Sequence, residues 1–195
     1  MNKFQVSKYS ITLLAVFCLL PALQGCVPVI AAGIGTGAVM AQDRRSTGTV
    51  IDDSTSELAI SQDIGKQLSK EASVSVTVYN HKALLTGAAI NDTVKSKAGD
   101  IAKTRPGITT VYNEIRIAIA SGLATDASDS LVTSIVKARL INVKGLNAEH
   151  IKVVTDDHIV YLMGLVTHKE AQLAAQCAST SDGVSKVVTL FEYID

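Results

Sequence analysis

Alternation of apolar and polar residues occurs twice along the chain, in residues 74–87 and again in residues 151–164. The first stretch reads VSVTVYNHKALLTG and the second reads IKVVTDDHIVYLMG. A period of two is typical of strands with one buried face, and Asn-His or Asp-His in the middle favours a turn. Each stretch therefore predicts a hairpin of two short strands.

Apolar residues ahead of each hairpin recur at helical spacing instead. Leu58, Ile60, Ile64 and Leu68 precede the first hairpin, and Leu131, Ile135, Val136 and Leu140 precede the second. A second helix-like stretch follows each hairpin, and it is followed in turn by a glycine and a last strand, ITTVYNEIRI or VSKVVTLFEYI. The chain thus contains two copies of one unit, helix, strand, strand, helix, strand.

From the hairpin onwards, the two copies align with a one-residue gap just before the second helix of the unit. That gap makes Asn91 and Thr167 equivalent and predicts both as N-caps. Thr167 and Glu170 form the T-x-x-E pattern of a capping box. The same gap places Ile101 opposite Cys177, which favours a buried core role for this thiol over a nucleophilic one.

Three strands and two helices per unit predict an α+β fold, with each unit a two-layer sandwich. The predicted domains span residues 54–120 and 128–195, with SGLATDASD between them. Units of this size bury a modest core, so packing of one copy on the other is expected to add stability.

The N-terminus has the layout of a secretory signal peptide, residues 1–25, with Lys3 and Lys8 before the apolar run 11–23. Leu23, Gln24, Gly25 and Cys26 resemble the bacterial lipobox. The resemblance implies cleavage before Cys26, a diacylglycerol on its thiol and a further acyl chain, such as palmitate, on its amino group. An ordinary signal peptide with a chance cysteine is the alternative.

Residues 26–50 are interpreted as the lipidated N-terminus and a small-residue tether. Its glycines at 33, 35 and 37 would need a preceding strand to form a nucleotide-binding fingerprint, and none is predicted. Val27 follows the cysteine, whereas inner-membrane lipoproteins tend to carry Asp there. By the same resemblance, this predicts the periplasmic face of the outer membrane in a Gram-negative bacterium.

Composition narrows the functional classes. The whole chain has a formal charge of +0, and removal of the signal leaves 16 basic and 18 acidic residues. Together with the absence of tryptophan, this balance argues against a nucleic-acid partner. Only Cys177 would remain as a free thiol after Cys18 is removed and Cys26 is lipidated.

The polar residues predict no active site. The four histidines, at 81, 150, 158 and 168, are interpreted as turn or solvated surface residues. Asp52 with Asp53 and Asp156 with Asp157 are assigned to a linker and a turn. HExxH, GxSxG and CxxC are absent, so we expect no catalytic residues, no metal and no cofactor.

The order of elements, with Gly-Ile or Gly-Val before the last strand, resembles the BON domain (bacterial OsmY and nodulation). The lipobox, the tether, the segment RRSTGTVIDD and the duplicated unit together resemble outer-membrane lipoproteins with two BON domains. One departure is the hairpin turn, where the family often has glycine and this chain has His81 and His158.

The resemblance implies binding to an anionic phospholipid membrane, through the first helix of the second domain, residues 129–141. Apolar side chains flanked by basic ones suit an interfacial contact, and the predicted contact residues are Leu131, Val132, Ile135, Lys137 and Arg139. A core role is the favoured interpretation for Ile135, Val136 and Leu140, and Leu131 and Val132 are favoured for the lipid contact.

Three functional hypotheses follow. The favoured one is a lipid-anchored phospholipid-binding protein that supports envelope integrity and cell division. The second is an adaptor for an envelope protein, such as the outer-membrane assembly machinery or a regulator of wall amidases. The third, a hydrolase with an unrecognised site, has the least support.

Overall fold

The computed structural model describes residues 43–118 and 124–195. The predicted signal peptide, Cys26 and the glycines at 33, 35 and 37 lie outside the described residues. The first repeat comprises α1 (Thr47–Leu68), β1 (Ala72–Tyr79), β2 (Lys82–Ala89), α2 (Asp92–Lys103), β3 (Thr110–Asn113) and β4 (Arg116–Ile117). The second comprises α3 (Ala124–Ile141), a 3-10 turn (Ala148–His150), β5 (Ile151–Asp156), β6 (Ile159–Val166), α4 (His168–Ser179) and β7 (Lys186–Tyr193). The predicted element order is confirmed in both repeats, with the last strand of the first repeat divided in two.

Each repeat builds one mixed sheet around the second strand of its hairpin. β2 pairs antiparallel with β1 and parallel with β3 and β4. β6 likewise pairs antiparallel with β5 and parallel with β7. The two helices of each repeat bury one apolar side against one face of its sheet, which is the predicted two-layer α+β sandwich.

The sheet faces that carry no helix pack against each other. Tyr79 and Leu84 from the first repeat form one buried cluster with Tyr161, Met163 and Leu165 from the second. As a result β6 is covered on both faces, and all of its residues from Val160 to Val166 are buried. Burial on both faces explains why IVYLMGLV is apolar throughout rather than alternating.

Both hairpins turn at the predicted residue pairs, and both residues of each pair have positive φ. Asn80 and His81 have φ of 48° and 63°, and Asp157 and His158 have φ of 51° and 62°. Two consecutive positive φ values match the twist of a two-residue hairpin loop. Asn, Asp and His are all enriched in this region among non-glycine residues, so glycine is not required here.

Local hydrogen bonds define the helix starts. The side chains of Asn91 and Thr167 cap α2 and α4, and Thr167 with Glu170 forms the predicted capping box. α1 begins at Thr47, capped by Ser46, whose Oγ accepts a hydrogen bond from the Thr49 N–H at 3.0 Å. The first turn of α1 therefore lies within the segment that the sequence assigns to the tether.

Candidate functional site

A buried aspartate ties the first helix of each repeat to its hairpin turn. The Asp129 carboxylate accepts hydrogen bonds from the backbone N–H groups of Asp157 (2.7 Å) and His158 (2.9 Å). Asp53 does the same for Asn80 (2.7 Å) and His81 (2.9 Å). The assignment of Asp53 to a linker is wrong, because it lies in α1 and is 2% exposed. In the second repeat these bonds hold the first half of α3 against the β5–β6 turn.

The outward face of α3 is apolar over most of its length. Leu131 is 63% exposed and Ile141 is 71% exposed. At 3.6 residues per turn the exposed positions fall within an arc of about 120°. We call this surface the α3 face, and it consists of Ala127, Ser130, Leu131, Ser134, Lys137, Ala138 and Ile141. Among the described side chains of α3 no carboxylate lies on this face, since Asp129 is buried.

The structure separates the predicted membrane-contact residues. Val132 is 3% exposed and belongs to the core of the second repeat, so its predicted role at a membrane surface is wrong. Ile135 is half-buried, whereas Leu131 and Lys137 lie on the α3 face. The Arg139 guanidinium donates to the Thr180 carbonyl and to the hydroxyls of Thr180 (2.9 Å) and Ser181 (3.0 Å).

Sequence reasoning missed Ile141, the most exposed large apolar residue of the described chain. It lies at the end of α3 beside an open groove of about 560 Å³. Apolar side chains form most of the lining, with Lys137 and Glu149 also in the wall: Leu140, Ile141, Leu146, Ala148 and Ile151. Ile141 lies on the same side of the predicted helix as Leu131, and this helical spacing is the sequence signal that would have identified it.

Residues 43–46, which we call the strap, connect the two repeats ahead of α1. Arg44 donates two hydrogen bonds to the Glu170 carboxylate, at 2.8 and 2.9 Å, and one to the Leu165 carbonyl at 2.8 Å. Arg45 donates to Asp53 at 2.9 Å and lies over the Tyr79 ring, 3.9 Å from its centroid. The strap therefore contacts both repeats at once.

The arginines of the strap stabilise the ionised forms of Asp43 and Glu170. The Arg44 hydrogen bonds, with help from Thr167, lower the pKa of Glu170 to about 2. Burial raises the pKa of Asp43, but the hydrogen bonds from Arg45 outweigh it, so that the net pKa is lowered. Both carboxylates are therefore ionised at neutral pH, as the ion pairs require.

The histidines occupy four different environments. His168 is exposed, pairs with Asp195 at 2.8 Å and stacks on Tyr193. His158 Nδ1 lies 2.9 Å from the Gly183 carbonyl, whereas the His81 ring lines a pocket beside α1. His150 was interpreted as solvated, which is wrong, since its side chain is 12% exposed and lies 3.8 Å from Glu170.

In residues 43–118 and 124–195, no group of three or more His, Cys, Asp or Glu residues is placed to hold a metal ion. No described helix is both long enough and apolar enough to cross a bilayer. Cys177 is a free, half-buried thiol packed against the second core, as its partly buried equivalent Ile101 is against the first.

Two tandem α-β-β-α-β sandwiches with an outward apolar helix face define the class of this protein. Residues 52–119 and 128–195 each match the BON domain, and the chain belongs to the BON domain family. Its curated relatives include the outer membrane lipoprotein DolP of Haemophilus influenzae, 37% identical over 175 residues, which covers 89% of this chain and 91% of the relative.

Two other relatives cover less of the chain. The 21 kDa hemolysin of Actinobacillus pleuropneumoniae is 34% identical over 154 residues, 78% of this chain and 79% of the relative. The osmotically-inducible protein Y of Escherichia coli is 28% identical over 121 residues, 60% of each chain. None of the three names describes an enzyme.

Proposed function

We propose that this protein is an outer-membrane lipoprotein, anchored through Cys26, whose second BON domain binds anionic phospholipid through the α3 face. The name of the Haemophilus influenzae relative supports the location. The lipobox-like residues 23–26 support the anchor. By this proposal the protein supports outer-membrane integrity, including at the division site, from the periplasmic face.

The observation that carries the lipid-binding part is the α3 face itself. Leu131 and Ile141 are 63% and 71% exposed on one face of one helix. The described side chains of α3 put no carboxylate on that face, and Glu149 lies in the wall of the groove beside Ile141. Burying such a side chain among acyl chains contributes roughly 1–2 kcal/mol, and a lysine near the headgroups contributes about 1 kcal/mol. Contributions of this size suit a contact that works together with a covalent lipid anchor.

The anchor raises the local concentration of the membrane around the folded unit. Seventeen residue steps separate Cys26 from Asp43, the first described residue. At about 3.5 Å per residue the segment reaches at most about 60 Å. A weak surface contact becomes an intramolecular event within that radius.

Vesicle co-sedimentation of the mature chain carrying Cys26→Ser tests the proposal without the anchor. We expect binding to vesicles containing phosphatidylglycerol and a roughly tenfold loss on Leu131→Glu or Ile141→Glu. Leu58→Glu is the matched control, because Leu58 is 60% exposed on α1, the corresponding helix of the first repeat. Equal binding by all four proteins would exclude the α3 face.

An adaptor function is the second candidate, and one observation favours it. Ile51 and Leu58 are 56% and 60% exposed on the same side of α1, two helical turns apart. Cells carrying Leu58→Glu in the native lipoprotein distinguish the two functions. Loss of envelope integrity in those cells, with vesicle binding intact, would favour a protein partner at α1 over phospholipid at α3.

A further inference from the structure

A pocket of about 320 Å³ opens beside the hairpin turn of the first repeat. Its wall includes Asp52, Thr55 and Ser56 from α1, His81 from the turn, and Arg105 and Gly107 from the segment after α2. We call it the turn pocket. It lies in the first repeat and shares no residue with the α3 face.

Three polar side chains of the turn pocket have no hydrogen-bond partner within the described chain. Arg105 Nε is fully buried and makes no hydrogen bond. Ser56 is 7% exposed, and neither its hydroxyl nor the His81 ring bonds to another described residue. Leaving Arg105 Nε buried without a partner costs about 1–3 kcal/mol. A ligand that accepts a hydrogen bond from it would also meet the Ser56 hydroxyl and the His81 ring, which line the same cavity.

In the second repeat the position equivalent to the turn pocket is filled by a side chain. Asp53 corresponds to Asp129 and Gly107 to Gly183, both 76 residues apart, which pairs Ser56 with Val132. Val132 fills the space, since one of its methyl groups lies 2.7 Å from where a Cβ on Gly183 would be.

The polar groups differ between the repeats as well. His158 bonds to the Gly183 carbonyl through Nδ1 and lies 3.4 Å from the Ser128 hydroxyl through Nε2. Ser181 stands where the first repeat has Arg105, and its hydroxyl bonds to the Cys177 carbonyl at 2.9 Å. At this location the second repeat has a buried valine and polar groups that are hydrogen-bonded. The first repeat has a cavity lined by donors that bond to no described residue.

We propose that the turn pocket binds a small oxyanion, and that phosphate is the group it fits best. A guanidinium presents forked donors to an oxyanion, and a hydroxyl and an imidazole N–H add one donor each. Asp52 is an exposed carboxylate in the pocket wall, so it repels an anion and lowers the affinity of the pocket for it. The phosphate belongs either to a soluble phosphate ester or to a lipid headgroup.

The test is an NMR titration of the 15N-labelled mature chain carrying Cys26→Ser with inorganic phosphate, at constant ionic strength. We expect saturable shifts at the backbone amides of Ser56, His81 and Gly107. Ser56→Val, which copies the second repeat, and Arg105→Gln each weaken binding about tenfold or more. Asp52→Asn strengthens it, and Lys103→Gln, which removes an exposed cation on α2, leaves it unchanged.

Shifts that are equal in all variants, or that follow the surface lysines, would overturn the proposal. Because Asp52→Asn predicts a gain at an exposed position, the result does not depend on a variant that fails to fold. Glycerol phosphate and phosphatidylglycerol vesicles then distinguish the source. If Ser56→Val weakens vesicle binding, the phosphate is a lipid headgroup; if it weakens only glycerol phosphate binding, the ligand is soluble.

Discussion

Removing Arg44 should uncouple the strap from the second repeat. Arg44→Gln abolishes the paired hydrogen bonds to Glu170, and Glu170→Gln abolishes them from the other side while retaining a side chain that can complete the capping box. The two variants and their combination form a double-mutant cycle, in which the interaction energy is the part of the loss that the single variants share.

The expected coupling energy between Arg44 and Glu170 follows from the pKa of the Glu170 carboxyl. Its pKa falls from 4.5 to about 2, a difference equivalent to about 3 kcal/mol of unfolding free energy at neutral pH. Thr167 supplies part of this effect and water screens part of the pair. We therefore expect a coupling energy of about 1–2 kcal/mol at pH 7. For Lys66 with Asp63, 3.8 Å apart and 72% and 54% exposed, we expect less than about 0.5 kcal/mol.

Urea unfolding at several pH values provides the measurement. A depressed pKa in the folded state stabilises the protein fully above the unfolded value near 4.5. That contribution declines as the pH falls from 4.5 through about 2. The stabilities of the wild type and Arg44→Gln should therefore converge in acid. A coupling energy near zero at pH 7, or an unchanged stability difference at pH 2, would refute the strap as a connection between the repeats.

Two further changes examine the parts of the fold that position the α3 face. Asp129→Ala leaves the backbone N–H groups of Asp157 and His158 without their acceptor, and should lower the unfolding free energy by about 2–4 kcal/mol in urea. The exposed neighbour Ser130→Ala should change it by less than about 0.5 kcal/mol, and similar losses would contradict the role of the carboxylate. Met163→Ala, 1% exposed between the sheets, should cost about 2–5 kcal/mol by calorimetry; a cost below about 1 kcal/mol would mean that the sheets do not pack tightly there.

Much of the fold was predictable because its determinants are local. Alternation in the first strand of each hairpin, together with the match between residues 74–87 and 151–164, predicted the hairpins. Asn80, His81, Asp157 and His158, which tolerate positive φ, marked the turns. Thr167 and Glu170, three residues apart, specified the start of α4. Duplication supported the predicted element order, because the same pattern occurs in both repeats.

The candidate site was predictable only in part. Helical spacing placed Leu131 and Val132 side by side near the start of α3, but it did not tell which one the sheet covers. In the folded protein Val132 packs beside Gly183 and is 3% exposed, whereas Leu131 is 63% exposed. The burial of Asp53 also escaped the sequence analysis, because its partners at residues 80 and 81 are more than 25 positions away.

The sequence by itself therefore determined the two repeats, their element order and the caps and turns, since each depends on residues a few positions apart. Tertiary structure alone decided that the bare sheet faces meet, that Arg44 reaches Glu170 across 126 positions, and that one repeat keeps a pocket which the other fills. The physical reason is that burial and long-range hydrogen bonding depend on which surfaces come together, and a local pattern does not encode the partner surface.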